Sequence, residues 1–81
     1  MNVCYTNRFE QQYGELPGRL KDKVDKQIEF LALNPYHPSL RTTKYDEARG
    51  LWQARVDRRY RFYFQIEVDT CTLLSVVPHP R

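Results

Sequence analysis

Apolar positions in the first half of the chain recur with the spacing of a helix. Asn7 and Glu10 fit a capping box, which predicts a short helix over residues 8–15. Pro17 suits the first turn of a second helix. Its apolar stripe follows the spacing i, i+4, i+8, i+11 and consists of Leu20, Val24, Ile28 and Leu31. Asn34-Pro35 is expected to end this helix.

After Pro38 the apolar period changes to two, which is typical of strands. Strands are predicted over residues 40–45, 51–57, 61–67 and 72–78, and residues 2–6 form a short first strand. The order β-α-α-β-β-β-β predicts an α+β fold, with two N-terminal helices packed on one face of an antiparallel sheet. A chain of 81 residues forms one domain, over residues 1–81.

The alternation also restricts how the two central strands pair. Phe62 and Phe64 must share the core face with the apolar stripe of the preceding strand, so paired residue numbers must have an even sum, such as 56 opposite 62. A three- or five-residue loop, or a bulge, around residues 58–60 meets this requirement. Arg55 and Arg61 then lie together on the face that the helices leave open.

The same reasoning applies to the last hairpin. With a loop near residues 68–72, Leu74 and Val76 face the core and the odd-numbered residues of the last strand face outward. His79 then joins the two arginines on the open side. An apolar strip beside a basic cluster is typical of a protein-binding site. This predicted strip consists of Tyr63, Leu73 and Val77.

The positive charge is concentrated in one stretch of the chain. The net charge is +3, and residues 41–61 alone hold seven basic against three acidic side chains. Six of the seven are arginine, whose planar fork binds phosphate with two parallel hydrogen bonds. The stretch indicates a polyanion site, with nucleic acid as the first candidate, although a solvated strand surface has a similar composition. Its basic residues are Arg41, Lys44, Arg49, Arg55, Arg58, Arg59 and Arg61.

Several other classes of protein are poorly supported. His37 and His79 are far apart and no cysteine cluster accompanies them, so no metal site is predicted. Cys4 and Cys71 are too few for a disulfide scaffold. There is no glycine-rich phosphate loop. No apolar run approaches the ~20 residues of a membrane span, and the first residues do not resemble a signal peptide, so a cytoplasmic protein is expected.

The residues predicted on the open side suit the cleavage of RNA without a metal or other cofactor. In that reaction the 2′-hydroxyl attacks the adjacent phosphate, which requires a base, an acid and cations for the developing phosphorane charge. Arg55 and Arg61 are the candidate cations, His79 is the candidate acid or base, and Lys44 is a further candidate. Arg41, Arg49, Arg58 and Arg59 are the candidate contacts to the rest of the RNA.

Four segments carry a resemblance to a known family. They are Asn-Pro-Tyr-His-Pro-Ser-Leu at 34–40, Gly-Leu-Trp-Gln-Ala-Arg-Val at 50–56, Tyr-Arg-Phe at 60–62, and Leu-Leu-Ser-Val at 73–76 leading to His79. With these motifs the chain resembles, nearly end to end, the RelE/ParE superfamily of toxins of bacterial type II toxin–antitoxin systems. The resemblance implies the same β-α-α-β-β-β-β fold.

The resemblance also implies an activity and partners. RelE-like members cleave mRNA in the ribosomal A site and so inhibit translation, and an acidic antitoxin binds them in a hetero-oligomer. The basic positions of the family correspond here to Arg55 and Arg61, its last basic or histidine position to His79, and a further one loosely to Lys44. The antitoxin is expected to cover Tyr63, Leu73 and Val77.

The sequence departs from the family pattern at two places. Relatives usually continue to an aromatic residue that stacks on the substrate base, whereas this sequence stops at Arg81, and the glutamate base of one subgroup falls near Thr42. Weaker catalysis is the corresponding expectation. Two alternatives stay open: a ParE-like inhibitor of DNA gyrase that cuts no RNA, and a degenerate toxin that only binds its antitoxin.

Overall fold

The computed structural model describes residues 1–79 and contains there two α-helices, one 3₁₀ turn and five strands. In chain order these elements are β1 (Asn2–Tyr5), α1 (Asn7–Gly14), α2 (Gly18–Leu33), the 3₁₀ turn (Pro38–Leu40), β2 (Thr43–Asp46), β3 (Leu51–Arg55), β4 (Tyr60–Glu67) and β5 (Thr70–Pro78). The predicted order β-α-α-β-β-β-β is confirmed. The 3₁₀ turn ends at Leu40, where the strand over residues 40–45 is predicted to begin. Strand β2 begins only at Thr43.

The five strands form one sheet in the order β1-β5-β4-β3-β2. The pairs β2–β3, β3–β4 and β4–β5 are antiparallel, as the sequence predicts. The first and last strands pair in parallel, with Val3 opposite Cys71. The sheet is therefore mixed at one edge. The two helices carry the chain from β1 at that edge to β2 at the opposite edge, and strands β2 to β5 then return it to β1.

Both helices pack on the same face of the sheet. Thr6 caps α1, because its hydroxyl accepts a hydrogen bond from the Phe9 amide at 3.2 Å. The α1–α2 contact includes the Tyr13 hydroxyl, which donates to Asp25 at 2.6 Å and whose pKa this carboxylate raises to about 12. Between helices and sheet lies the core, formed by Phe9, Val24, Leu31, Leu40, Ala54, Val56, Phe62, Phe64, Cys71, Leu73 and Val76.

The β3–β4 hairpin has the even register that the alternation requires. Ala54 lies opposite Phe62, and Arg55 lies opposite Arg61. A five-residue loop, 56–60, separates the two arginines, and the Val56 amide donates to the Tyr60 carbonyl within it at 3.0 Å. The parity prediction is therefore confirmed.

The β4–β5 hairpin differs from the prediction. Its strands are joined by a two-residue turn, Val68-Asp69, with Glu67 opposite Thr70. Leu74 is then an extra residue on β5, because Phe64 pairs with Leu73 whereas the preceding residue of β4 pairs with residue 75. The bulge reverses the alternation. Leu73 is consequently fully buried in the core, and the expectation that it lies on the open side is wrong, as is the core position expected for Leu74.

Helix α1 completes the edge of β5 beyond the end of β1. The Thr6 hydroxyl donates to the Leu73 carbonyl at 2.9 Å, and the Gln12 side-chain oxygen accepts from the Val76 amide at 2.9 Å. These bonds satisfy backbone groups that no strand covers. The bulged part of β5 is therefore held by side chains of the first helix segment.

A buried glutamine connects α2 to the centre of the sheet. The Gln27 side-chain nitrogen donates to the carbonyl of Ser39 at 2.9 Å and to that of Arg55 at 2.7 Å. Only 8% of Gln27 is exposed, so its side-chain nitrogen depends on these two carbonyls rather than on solvent. This residue fixes the end of β3 from the core side.

We expect Gln27→Ala to destabilise the protein by about 1–3 kcal/mol, because it removes two hydrogen bonds that a buried side chain makes to partly buried carbonyls. The matched control is Gln11→Ala, since Gln11 is exposed on α1 and its loss should change the free energy of unfolding by less than about 0.5 kcal/mol. Urea denaturation of both variants measures the difference. Equal stability of the two variants would contradict the role given to Gln27.

Candidate nucleic-acid interface

The face of the sheet opposite the helices carries the candidate site. Alternation and register place one row of side chains there from Arg55, Arg61 and Val77, and a second row from Gln53, Tyr63 and Ser75. We call this surface the open face. The predicted positions of Arg55, Arg61, Tyr63 and Val77 on it agree with the structure.

Arg55 and Arg61 lie directly opposite each other on adjacent strands. Like charges in such a pair destabilise a sheet. Within residues 1–79 no carboxylate forms an ion pair with either of them. Arg61 is oriented by two carbonyls of the hairpin, since its Nη1 donates to Asp57 at 2.6 Å and to Tyr60 at 2.9 Å. The two arginines therefore form a fixed cluster of positive charge, which an anion would neutralise.

The hairpin loop is organised by Asp57. Its carboxylate accepts from the amides of Arg59 at 2.8 Å and Tyr60 at 2.9 Å, and Lys23 of α2 lies 3.3 Å away. Burial acts to raise the pKa of Asp57, but the two amides and Lys23 together hold it below its usual value. Arg58 and Arg59 are consequently presented at the exposed tip of a loop with defined geometry.

His79 lies at the same end of the sheet as this loop. Its backbone amide donates to the Arg59 carbonyl, which ties the residue after β5 to the hairpin. The residue is exposed. The structure therefore brings His79 near the arginine pair.

A groove of about 420 Å³ lies on the open face and reaches Val77, the residue opposite Arg61. Its lining consists of Arg8, Tyr45, Arg49, Leu51, Tyr63, Leu74, Ser75, Val77 and Pro78. The rings of Tyr45 and Tyr63 contact each other with their centroids 4.8 Å apart. Burial and the neighbouring Tyr45 raise the pKa of Tyr63, although Arg61 acts against this shift, so the hydroxyl is neutral at physiological pH.

Among the predicted site residues within 1–79, Arg49, Tyr63 and Val77 line this groove and the others do not. Lys44 pairs with Trp52, which belongs to the helix-side stripe, and its ammonium lies 5.6 Å from that ring and 3.1 Å from Glu47. The predicted place of Lys44 beside the arginine pair is therefore wrong. Arg41 ends the 3₁₀ turn in a left-handed conformation, with φ of 49°, and is not part of the groove lining described above.

The other predicted residues have mixed positions. Arg49 lines the groove and lies 3.6 Å from the Asp46 carboxylate. His37 stacks on Phe30 with centroids 4.2 Å apart, which is a structural role. Thr42, at the position of the glutamate base of one subgroup, donates to the Pro35 carbonyl at 2.6 Å.

The sequence did not point to two residues of the groove. Arg8 lies in the first turn of α1 and lines the groove. It reaches the groove because β1 lies beside β5, and this parallel pairing has no signature in the sequence. Tyr45 has the same alternation as Thr43, which pairs with the open-face residue Gln53. This alternation is the sequence signal that places Tyr45 on the open face.

Two further properties bear on the class of protein. Neither helix among residues 1–79 is long and apolar enough to cross a bilayer. In the same range no three histidine, cysteine or acidic side chains gather as metal ligands would.

Comparison with known proteins identifies the fold. No protein-family model and no curated protein matches the sequence. Solved structures do match over nearly the whole chain. A YoeB/ParE toxin from Agrobacterium tumefaciens is 15% identical, with 99% of this chain and 100% of that chain covered and a TM-score of 0.81. The toxin of an archaeal RelE–RelB complex from Pyrococcus horikoshii is 16% identical, with 99% and 96% covered and a TM-score of 0.83.

A YoeB–YefM complex from Staphylococcus aureus is similar at 12% identity, with 99% of this chain and 98% of that chain covered and a TM-score of 0.79. At these identities the comparisons establish the fold. The chain has the fold of these solved structures, and the β-α-α-β-β-β-β fold that the motifs imply is confirmed.

The pKa of Asp57 gives a prediction about acid stability. A carboxyl whose folded pKa lies below its ordinary value of 3.8 stabilises the fold at pH values above 3.8. This contribution is lost as the pH falls through the folded pKa. Asn at this position keeps an oxygen for the two amides but removes the charge. We therefore expect Asp57→Asn to be less stable than the wild type at pH 7 and to approach it at pH 3, as measured by urea denaturation. A constant difference between the two pH values would contradict this.

Proposed function

We propose that this protein is the toxin of a type II toxin–antitoxin system and that it inhibits translation by cutting mRNA on the ribosome. The observation that carries the proposal is the placement of Arg55 opposite Arg61, since neither arginine is paired with a carboxylate among the described residues. The fold is that of proteins named as RelE and YoeB toxins, which supports the same assignment.

The chemistry proposed is attack of the RNA 2′-hydroxyl on the adjacent phosphate. A base takes the proton of the hydroxyl, the 2′-oxygen forms a bond to phosphorus, and the bond to the 5′-oxygen breaks as an acid donates a proton to it. Arg55 and Arg61 stabilise the charge that grows on the phosphorane oxygens. His79 is the proposed proton donor or acceptor, since histidine exchanges protons near neutral pH.

The arginines outside the pair are proposed to guide the RNA strand. Arg49 lines the groove on one side, and Arg58 and Arg59 extend from the hairpin loop on the other. Contacts of this kind neutralise phosphates without reading sequence. Lys44 is left out of the proposed site because its ammonium lies over Trp52.

We expect Arg55→Ala and Arg61→Ala each to abolish most of the RNA cleavage. Removing a cation directed at the phosphorane is worth about 2.7–4 kcal/mol, or about 10²–10³ in rate, by analogy with one oxyanion donor. Lysine should restore only part of the rate because it lacks the fork. The measurement is induction of each variant in cells, followed by mapping of mRNA ends and of DNA breaks.

The matched control is Arg19→Ala, since Arg19 is exposed on α2, on the side away from the open face, and should remain fully toxic. Full toxicity of either open-face variant would show that the site is wrong. DNA breaks without mRNA fragments would instead support the gyrase inhibitor. Neither kind of damage would support a degenerate toxin that retains only antitoxin binding.

The proposed partner is an acidic antitoxin that covers the open face. The half-buried apolar residues Tyr63, Leu74 and Val77 lie there beside the arginines, with Leu74 in the place expected for Leu73. An acidic, amphipathic segment would bury the apolar residues and neutralise the arginines. Two of the similar structures are described as RelE–RelB and YoeB–YefM complexes, which supports a partner of this kind.

We expect the proposed acidic antitoxin to bind fast, and its association to slow as salt is added, because the arginines steer the encounter. It should also compete with RNA. Val77→Asp should weaken binding strongly, whereas Val68→Asp is the matched control, since Val68 is 98% exposed in the distant turn. Stopped-flow association and RNA competition measure these effects. A salt-independent rate together with simultaneous RNA binding would place the antitoxin elsewhere.

A further inference from the structure

We propose that Tyr45 and Tyr63 form a stacking site for an unpaired nucleobase of the RNA, adjacent to the Arg55–Arg61 pair. The inference rests on the proposed function, because it assigns a binding site to the nucleobase next to the phosphate that the arginines are proposed to hold. It names two side chains of the sheet that line the groove.

The aromatic pair presents a free ring surface. The two ring planes are tilted by 59°, so the rings do not cover each other, and 59% of Tyr45 is exposed. Tyr45 is the extra residue of a bulge in β2, since Lys44 pairs with Trp52 and Asp46 with Leu51. Its ring spans the width of β3 to reach Tyr63 on β4. An exposed ring held in this way by a second ring is a rigid platform.

The platform lies at a suitable distance from the arginines. Tyr63 follows Arg61 by two residues on the same face of β4, which corresponds to about 6.7 Å along the strand. A single nucleotide can therefore place its phosphate at the arginines and its base at the tyrosines.

The charges around the platform favour RNA over a peptide. Arg8 and Arg49 line the same groove as the two rings. Aromatic rings interleaved with cations are the common device for binding single strands, because every base has a face that can stack. The aliphatic residues Leu74 and Val77 lie on β5, at the other side of the groove from Tyr45 on β2. The aliphatic residues and the exposed ring of Tyr45 therefore lie on different sides of one surface, with Tyr63 on β4 between them.

The test uses a single-stranded RNA hexamer with 2′-O-methyl riboses, which cannot be cleaved, and one 2-aminopurine base. Stacking on a tyrosine quenches its fluorescence. Wild-type protein should bind and quench, and Tyr45→Phe should behave in the same way because it keeps the ring. Tyr45→Ser should lose the quenching and bind about 5- to 150-fold more weakly, which corresponds to the stacking of one base. Tyr63→Ser should act in the same direction, with circular dichroism to confirm folding.

The matched control is Tyr36→Ser, because Tyr36 is 57% exposed but packs against Trp52, away from the groove. Three results would overturn the inference: unchanged binding and quenching by Tyr45→Ser, an equal loss in Tyr45→Phe, or a Tyr45→Ser variant that loses only antitoxin binding. Absence of RNA binding by the wild type would also overturn it. The proposed function is decided separately, by mRNA cleavage in cells and its dependence on Arg55 and Arg61.

Discussion

The pairing of β3 with β4 is the constraint on which both the core and the open face depend. Side chains alternate between the two faces of a sheet, so the register that buries Ala54 opposite Phe62 also sets Arg55 opposite Arg61. A slip of one residue would move the arginines into the core, where an unpaired charge is strongly destabilising, and would expose the aromatic stripe. The hydrophobic core thus fixes the position of the cations without contacting them.

The contacts around this hairpin hold the arginines in place before any ligand arrives. Gln27 fixes the carbonyl of Arg55 from the core side, and Asp57 fixes the loop whose carbonyls orient Arg61. Groups that are already oriented need not reorganise when charge develops on a substrate, which is the main source of electrostatic stabilisation in enzymes. The elements that stabilise the fold here are therefore the same ones that organise the candidate site.

The periodicity of the sequence predicts the elements, their order and the even register of the central hairpin, because each follows from local alternation. It does not predict the bulge on β5. Leu73 and Leu74 are both apolar, so the pattern cannot tell which one faces the core once a two-residue turn has given the hairpin an odd register. The sequence does not predict the position of Lys44 for a related reason. Its long apolar stem and charged end suit the Trp52 ring as well as a phosphate. The position of Arg8 depends on the parallel β1–β5 pair, which is a tertiary feature.

The same surface suits two different partners for one physical reason. Two like charges held opposite each other raise the free energy of the unbound protein, and any anion that lies between them lowers it. A phosphate of RNA and a carboxylate of an acidic protein both meet this condition. The competition proposed between RNA and antitoxin rests on the shared counter-charge at Arg55 and Arg61, even if their remaining contacts differ. The aliphatic residues of β5 and the tyrosine rings nearer β2 then provide the differing contacts, one suited to a protein chain and the other to a base.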